Sequence, residues 1–145
     1  MFISLSRLNP LRRAFSLFYN IDHEWINFNP KTKIGIIGIT DYAHTQLGDI
    51  IFVQMPDIGT KFKQGDVLGK LESTRVVDDI YCPLSGEIIE VNKKILEAPD
   101  LINNDPNDEG WLVKIKIEDL AELEFLYDKQ GYDKLVQQLK RKGNV

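Results

Sequence analysis

The stretch "KLESTRVVDDI", residues 70 to 80, decides the fold of this chain. Its flanks are typical of two strands, 67–72 and 76–81, and only Ser73, Thr74 and Arg75 lie between them. So short a connection predicts a tight, exposed hairpin turn. We expect the long cationic side chain of Arg75 to stand clear of the surface at the tip of this hairpin.

Short runs of β-branched residues, separated by Gly, Pro and Asp, continue the strand pattern on both sides of the hairpin. They lie at 34–39, 50–53, 87–91 and 111–117. Thr40 is placed to cap a short helix over 41–47, with Asp41 near its positive end. Another turn of helix is expected at 99–104. Leucines at helical spacing after Glu118, with a break at Gly131, predict a helical C-terminal segment.

One internal echo links two of these strands. "GDIIFV", residues 48–53, returns as "GEIIEV", residues 86–91, and "GDVL" at 65–68 is a weaker third copy. A repeated unit of this kind predicts two similar halves packed face to face. The sequence therefore predicts a mainly β fold, a small sandwich of two sheets with the hairpin at one end.

Composition limits the classes of function. The chain has 145 residues, 43% hydrophobic and 28% charged, which is typical of one globular domain. The net charge is −4, and since the first 20 residues carry +3, the rest of the chain carries −7. An acidic body argues against nucleic acid, and no apolar run is long enough to span a membrane. The single Cys82 allows no internal disulfide and suits a reducing compartment.

The head of the chain, "MFISLSRLNPLRRAFSLFYN", differs from the rest. It contains Arg7, Arg12 and Arg13, several serines and no carboxylate. Such a composition is typical of an organellar presequence. We therefore expect residues 1–15 to be a mitochondrial presequence, cut between Phe15 and Ser16, and the mature protein to lie in the mitochondrial matrix.

Enzymatic and metal sites find little support in the sequence. Cys82 could act as a nucleophile only with a base within hydrogen-bond reach, and His23 and His44 are the only histidines. Two histidines 21 residues apart, without a cysteine pair, do not resemble a metal site. The acid-rich segment 103–110 lacks the ligand spacing of a calcium loop. A small Cys82-dependent enzyme remains the alternative from a different class of function.

Several longer motifs, in order along the chain, resemble the H protein of the glycine cleavage system. They are "HEW" at 23–25, "GITDYAHTQLGDIIFVQMPDIG" at 38–59, "GDVLGKLEST" at 65–74, "PLSGEIIEVN" at 83–92 and "LINNDPNDEGWLVKIK" at 101–116. The resemblance covers a domain from about residue 19 to 139 and leaves 140–145 as an expected flexible tail. It implies a lipoyl-carrier-like barrel-sandwich of two small antiparallel sheets with short helices and a C-terminal helical segment.

The resemblance also implies a function without catalysis. Members of that family carry lipoic acid, amide-linked to a lysine at a hairpin tip. The lipoyl arm shuttles an aminomethyl group from glycine decarboxylase to aminomethyltransferase and is reoxidised by dihydrolipoamide dehydrogenase. These three enzymes are the partners that the resemblance implies. Glu24, in the "HEW" motif, matches an acid that borders the cleft where the loaded arm is sheltered.

The tip departs from the family pattern at the residue that matters most. The family has Glu-Ser-Val-Lys followed by a Ser-Asp pair, and this chain has Glu72, Ser73, Thr74 and Arg75, followed by Asp78 and Asp79. Arg75 therefore occupies the lipoyl-lysine position. A guanidinium stays protonated and offers no nitrogen that can form the amide, so attachment at residue 75 is not expected.

Two interpretations follow from Arg75. The chain is either an H-like protein that cannot carry lipoate and binds or regulates partners, or a component that works beside a second H protein bearing the lysine. Both make the chain a non-enzymatic member of the same complex.

Overall fold

Two antiparallel sheets form the body of the protein. The computed structural model describes residues 15–143. The larger sheet has six strands in the order β1-β2-β3-β9-β8-β5, and the smaller has three in the order β4-β6-β7. The strands are β1 Ser16–Tyr19, β2 Glu24–Asn29, β3 Ile34–Ile39, β4 Ile50–Gln54, β5 Lys61–Phe62, β6 Val67–Ser73, β7 Val77–Tyr81, β8 Gly86–Val91 and β9 Val113–Ile117. The predicted mainly β class with two small antiparallel sheets is confirmed.

Short helices connect the strands. They are α1 Asp41–Leu47, α2 Lys93–Glu97, α3 Leu101–Asn104, a 3-10 helix Leu120–Phe125 and the C-terminal α4 Lys129–Gly143. Thr40 caps α1 as predicted, since its side-chain oxygen accepts a hydrogen bond from the amide of Ala43 at 3.2 Å. Within the described region no helix is long and apolar enough to cross a membrane.

The core lies between the sheets and is almost wholly aliphatic. Ile37 of β3, Leu71 of β6, Ile88 of β8 and Ile115 of β9 are each 0% exposed. Burying a side chain of this size stabilises the fold by about 1.5–3 kcal/mol. Because side chains alternate along a strand, the same strands present polar residues outward, and β6 shows this with exposed Lys70 and Glu72 between buried neighbours.

The echoed segments have the same local geometry in different sheets. β4 shifts register between Ile50 and Phe52, and β8 shifts register between Ile88 and Glu90. In each, the first isoleucine of the repeat is buried and the second is exposed. A β-bulge therefore recurs at the corresponding position of both copies.

Some elements differ from the sequence-based expectation. β1 begins at Ser16, directly after the expected presequence, and was not predicted. β2 was not predicted either, because Asn27 and Asn29 interrupt its apolar pattern. Gly131 does not break the terminal helix but lies in the first turn of α4; the break falls at 126–128. α4 continues to Gly143, so residues 140–143 of the expected flexible tail are helical. Residues 1–14, most of the expected presequence, lie outside the described part of the chain.

Candidate functional site

The turn between β6 and β7 is organised by the side chain of Ser73. Its oxygen accepts hydrogen bonds from the amides of Arg75 at 3.0 Å and Val76 at 3.1 Å. Its hydroxyl lies 2.7 Å from the carbonyl oxygen of Leu47, to which it donates. A serine that binds amides two and three residues ahead is typical of a tight turn. Ser73 therefore both shapes the tip and ties it to the end of α1.

A backbone hydrogen bond adds a second tie between the tip and α1. The amide of Thr74 donates to the carbonyl of Asp49 at 2.9 Å. Asp49 follows Gly48, the residue that ends α1 with a φ of +87°. Since both ties act on adjacent residues, the hairpin tip is fixed against the α1–β4 connection.

Arg75 does not stand clear of the surface as the sequence predicts. Its side chain lies along Gly48, where a Cβ would come within 3.1 Å of Nε, and Nη1 lies 3.4 Å from the carbonyl oxygen of Gln46. A cation is favourable at the carboxyl end of a helix because the terminal carbonyls carry partial negative charge. The guanidinium therefore folds back toward α1, although the residue remains exposed.

The acidic residues of the hairpin have different environments. Asp79 lies on the outer face, where its Oδ1 is 2.7 Å from Nζ of Lys70. Asp78 is exposed and lies close to the β1–β2 turn, where burial raises the pKa of Asp22 and the charge of Asp78 raises it further. Glu72 is exposed and makes no salt bridge within the described region. The outer face of the hairpin therefore carries Glu72 and the Lys70–Asp79 pair, whereas Asp78, opposite buried Leu71, belongs to the other face.

Glu24 lies at the start of β2 and is only 2% exposed. Its Oε1 accepts a hydrogen bond from Nδ2 of Asn20 at 2.6 Å. Burial raises the pKa of Glu24 well above its ordinary value and the charges of Asp22 and Asp78 raise it further, while Asn20 and the nearby backbone amide of Tyr81 in β7 oppose this shift. Glu24 therefore lies buried beside β7 of the other sheet, and its environment favours the neutral carboxyl.

The turn that carries Glu24 is held by Asn20 and by the C-terminal helix. Asn20 Oδ1 accepts the amides of Asp22 at 3.1 Å and Glu24 at 2.8 Å. His23 has a φ of +72°, and its Nδ1 lies 2.8 Å from the hydroxyl of Tyr132 in α4. The same hydroxyl lies 2.8 Å from Oγ1 of Thr40. The sequence singled out His23 and Thr40 but not Tyr132, because nothing local shows which face of a distant helix reaches them.

An open groove of about 760 Å³ lies on the far side of this hydrogen-bonded cluster. Tyr19, Trp25 and Tyr132 form its aromatic wall, and Lys129 and Lys140 of α4 lie along its rim. None of the hairpin residues at 72–79 lines it. The groove is therefore separate from the site that the sequence predicts.

Cys82 cannot act as a nucleophile where the structure places it. The side chain is 1% exposed within the aliphatic core, and its Sγ lies 3.1 Å from the carbonyl of Leu84, to which the thiol donates. Burial raises the pKa of the thiol to about 12, so the thiolate does not form near neutral pH. The Cys82-dependent enzyme is thereby excluded. Over residues 15–143, no cluster of His, Cys, Asp and Glu could hold a metal ion.

Covalent lipoyl attachment does not fit residue 75. The hairpin has the shape expected of an attachment site, with a short exposed tip between two paired strands. However, the only side-chain nitrogens at its tip belong to the guanidinium of Arg75, which is neither nucleophilic nor readily deprotonated. Lys70 is on the strand, five residues before the tip position.

The chain matches known proteins over nearly all of the described region. A family model described as "Glycine cleavage H-protein" matches residues 17–139. The glycine cleavage system H protein of Carboxydothermus hydrogenoformans is 43% identical over 122 residues, which cover 84% of this chain and 92% of that protein. The corresponding protein of Thermotoga maritima is 44% identical over 120 residues, covering 83% of this chain and 95% of that protein.

A solved structure supports the same family. The crystal structure of a glycine cleavage system H protein from Mycobacterium marinum has a TM-score of 0.74 and 32% identity, covering 84% of this chain and 97% of that chain. The chain belongs to the glycine cleavage H-protein family. Its role is that of a carrier component and not of an enzyme, as predicted.

The predicted location is wrong. The relatives reported above, from Carboxydothermus hydrogenoformans and Thermotoga maritima, are bacterial proteins, and bacteria have no mitochondria. A basic, serine-containing head misled the prediction, because composition alone does not distinguish an import signal from any other short basic segment. The expected cut after Phe15 also coincides with the start of the family match and of β1, so that boundary reflects where the domain begins.

Proposed function

We propose that this chain serves glycine cleavage as its H-protein component, with glycine decarboxylase, aminomethyltransferase and dihydrolipoamide dehydrogenase as its partners. The observation that carries the proposal is the family match over residues 17–139, which includes both the hairpin and the turn with Glu24. A protein that visits several enzymes needs a rigid body with one exposed recognition element. The tied hairpin supplies that element.

Within this role, we assign recognition to the hairpin motif, whose members are Glu72, Ser73, Thr74, Arg75, Asp78 and Asp79. Support comes from the two ties to α1, through Ser73 to Leu47 and through Thr74 to Asp49. Because the tip is held in one conformation, a partner that binds it loses little entropy in ordering it.

We also propose that Glu24 is the acid beside which the loaded arm would be sheltered, as the family resemblance implies. Its support is its position between Asn20 and the amide of Tyr81, and its burial. In this environment the carboxyl is biased toward its neutral form, and an approaching cation would favour ionisation. Glu24 would therefore respond to a positively charged group entering the cleft.

Arg75 sets the limit of the proposal. Since no amide can form on the guanidinium, we expect residue 75 to carry no lipoyl group in this chain. This one observation favours a second candidate, a partner-binding subunit that cannot carry lipoate. The comparisons favour the carrier role of the family. The two candidates therefore differ in whether residue 75 must carry a lipoyl group, and substitutions at that residue can distinguish them.

The test compares the wild-type protein with Arg75→Lys and Arg75→Gln. Each is co-expressed with a lipoate ligase and lipoate, its intact mass is measured, and it is then supplied to glycine decarboxylase. We expect a lipoyl mass shift and glycine-dependent exchange of labelled bicarbonate with Arg75→Lys alone. Arg75→Gln controls for loss of the guanidinium. An Arg75→Lys protein that is lipoylated but supports no exchange would refute a role in glycine cleavage.

A further inference from the structure

We propose that the outer face of the hairpin is a docking surface for a protein that has an apolar depression with a basic side chain beside it. The inference deepens the proposed function and rests on it. The surface, here called the hairpin patch, consists of Ile51, Phe52, Val76 and Val77, with Glu72 among them. The four apolar residues are 53%, 56%, 47% and 58% exposed.

Strand register places the centre of the patch in one row. Phe52 of β4 lies opposite Glu72 of β6, and Glu72 lies opposite Val77 of β7. Residues opposite one another in a ladder point to the same face, and Glu72 points outward. An apolar side chain therefore stands on each side of one carboxylate across the full width of the three-stranded sheet.

The internal repeat shows that the fold does not require Phe52. Phe52 follows the bulge in β4, and Glu90 follows the corresponding bulge in β8. Glu90 is paired with Lys114, 3.2 Å away, so the same local backbone accepts a charged residue at this position. The fold therefore does not require Phe52, and together with exposed Ile51, Val76 and Val77 it forms a contiguous apolar patch of the kind that marks interaction sites.

Charge indicates what occupies the patch. Glu72 makes no salt bridge within the described region, and its carboxylate stands between the apolar side chains of Phe52 and Val77. Among the residues that the structure describes, Lys70 is the cation on this face, and its Nζ lies 2.7 Å from Asp79; Arg75, at the tip, folds back toward α1. The patch therefore complements a basic partner. A second copy of this chain fits poorly, because two such patches face to face bring Glu72 near an identical carboxylate.

The experiment measures binding to each of the three partner enzymes proposed above, using full-length protein. The double variant Phe52→Gln with Val77→Thr removes apolar contact without adding charge. Threonine is chosen at residue 77 because it keeps the β-branched shape of valine. Ile58→Gln is the matched control, since Ile58 is 64% exposed but lies outside the hairpin. Glu72→Gln, measured at low and high salt, tests the charge.

We expect the double variant to weaken binding to at least one enzyme by about tenfold, and Ile58→Gln by less than about twofold. Glu72→Gln should reduce the salt dependence of binding. If the wild type binds an enzyme, and the Phe52→Gln with Val77→Thr variant and the Glu72→Gln variant both bind it equally well, the inference is wrong and the proposed function stands. If the wild type binds none of the three, both are wrong. Sedimentation showing a dimer that the double variant abolishes would assign the patch to self-association and overturn the inference.

Discussion

The hydroxyl of Tyr132 lies 2.8 Å from Nδ1 of His23 and joins the C-terminal helix to the turn that precedes β2. Burial lowers the pKa of His23, so the neutral ring, whose Nδ1 can accept the Tyr132 proton, is the favoured form. Thr40 can then donate its hydroxyl proton to the oxygen of Tyr132, 2.8 Å away. One phenol thus links α4, the turn before Glu24, and the cap of α1.

Tyr132→Phe should therefore destabilise the protein by about 1–3 kcal/mol, because it leaves Nδ1 of His23 and the buried Thr40 hydroxyl without their partner. The measurement is the free energy of unfolding in urea. Tyr127→Phe is the control, since the Tyr127 hydroxyl makes no hydrogen bond in the described region, and it should change the free energy by less than about 0.5 kcal/mol. Equal effects of the two substitutions would show that the linkage contributes nothing.

Glu24→Gln should change how stability depends on pH. The folded-state pKa of Glu24 is raised, mainly by burial, so the folded protein keeps this proton at pH values where the unfolded chain has lost it. The contribution of Glu24 is fully present below its ordinary pKa of 4.5 and is lost as pH rises through the raised folded-state value. The free energy of unfolding of Glu24→Gln, minus that of the wild type, should therefore rise with pH above 4.5.

That comparison isolates Glu24 because its titratable neighbours are present in both proteins. Asp22, His23 and Asp78 lie nearby and titrate in both proteins, so the difference between the two curves reports Glu24 together with its coupling to these neighbours. A difference that stays constant from pH 4 to pH 8 would mean that Glu24 has the same proton affinity in both states, contrary to its burial.

Gly38→Ala should destabilise the protein by about 1–3 kcal/mol through overpacking. A Cβ at Gly38 would lie 2.3 Å from Cζ2 of Trp25, and the indole is held in place because its Nε1–H donates to the carbonyl of Pro106 at 3.2 Å. Gly35→Ala, in the same strand, meets only side-chain atoms of Ile26 and Phe28 at 3.1 Å. Urea unfolding should show the larger loss for Gly38→Ala, and a larger loss for Gly35→Ala would contradict the packing argument.

Local sequence signals were sufficient for the hairpin, for α1 and for the similarity of the two echoed strands, although not for the bulge that each of them contains. Each depends on neighbouring residues: three turn residues between two strand patterns, a threonine before a helix, and a repeated Gly-acid-Ile-Ile unit. The position of the Arg75 side chain could not be predicted in this way. It depends on the carboxyl end of α1, nearly 30 residues earlier in the chain, coming to rest beside the tip.

In the candidate site too, features that depend on local motifs could be predicted, and contacts between distant residues could not. The hairpin residues and Glu24 were predicted from motifs that resemble those of the family, because a motif records residue types at fixed spacing. The hydrogen bond between His23 and Tyr132 joins residues 109 positions apart. Its existence follows from how α4 packs on β1, where Tyr19 and Tyr132 stack with ring centroids 4.4 Å apart. Nothing in the spacing of either residue indicates that contact.

Only one of the two lysines on the hairpin of Arg75→Lys should be a substrate for a lipoate ligase. In Arg75→Lys, peptide mapping should locate the lipoyl group on residue 75 and leave Lys70 unmodified. Nζ of Lys70 is held 2.7 Å from Asp79, which raises the pKa of the ammonium, and a protonated amine is not a nucleophile. Lys70 also lies within β6, paired on both sides by Gln54 and Asp79, so a ligase that binds an exposed turn does not reach it.

The double variant Lys70→Arg with Arg75→Lys keeps the cation beside Asp79 and leaves residue 75 as the only lysine on the hairpin. It should be lipoylated as fully as Arg75→Lys, whereas Lys70→Arg in the wild-type background should remain unmodified. A lipoyl group found on Lys70 of the wild-type protein would contradict this prediction. The surface ion pair and the strand position would then be insufficient to protect an amine, and Arg75 would no longer prevent this chain from carrying lipoate.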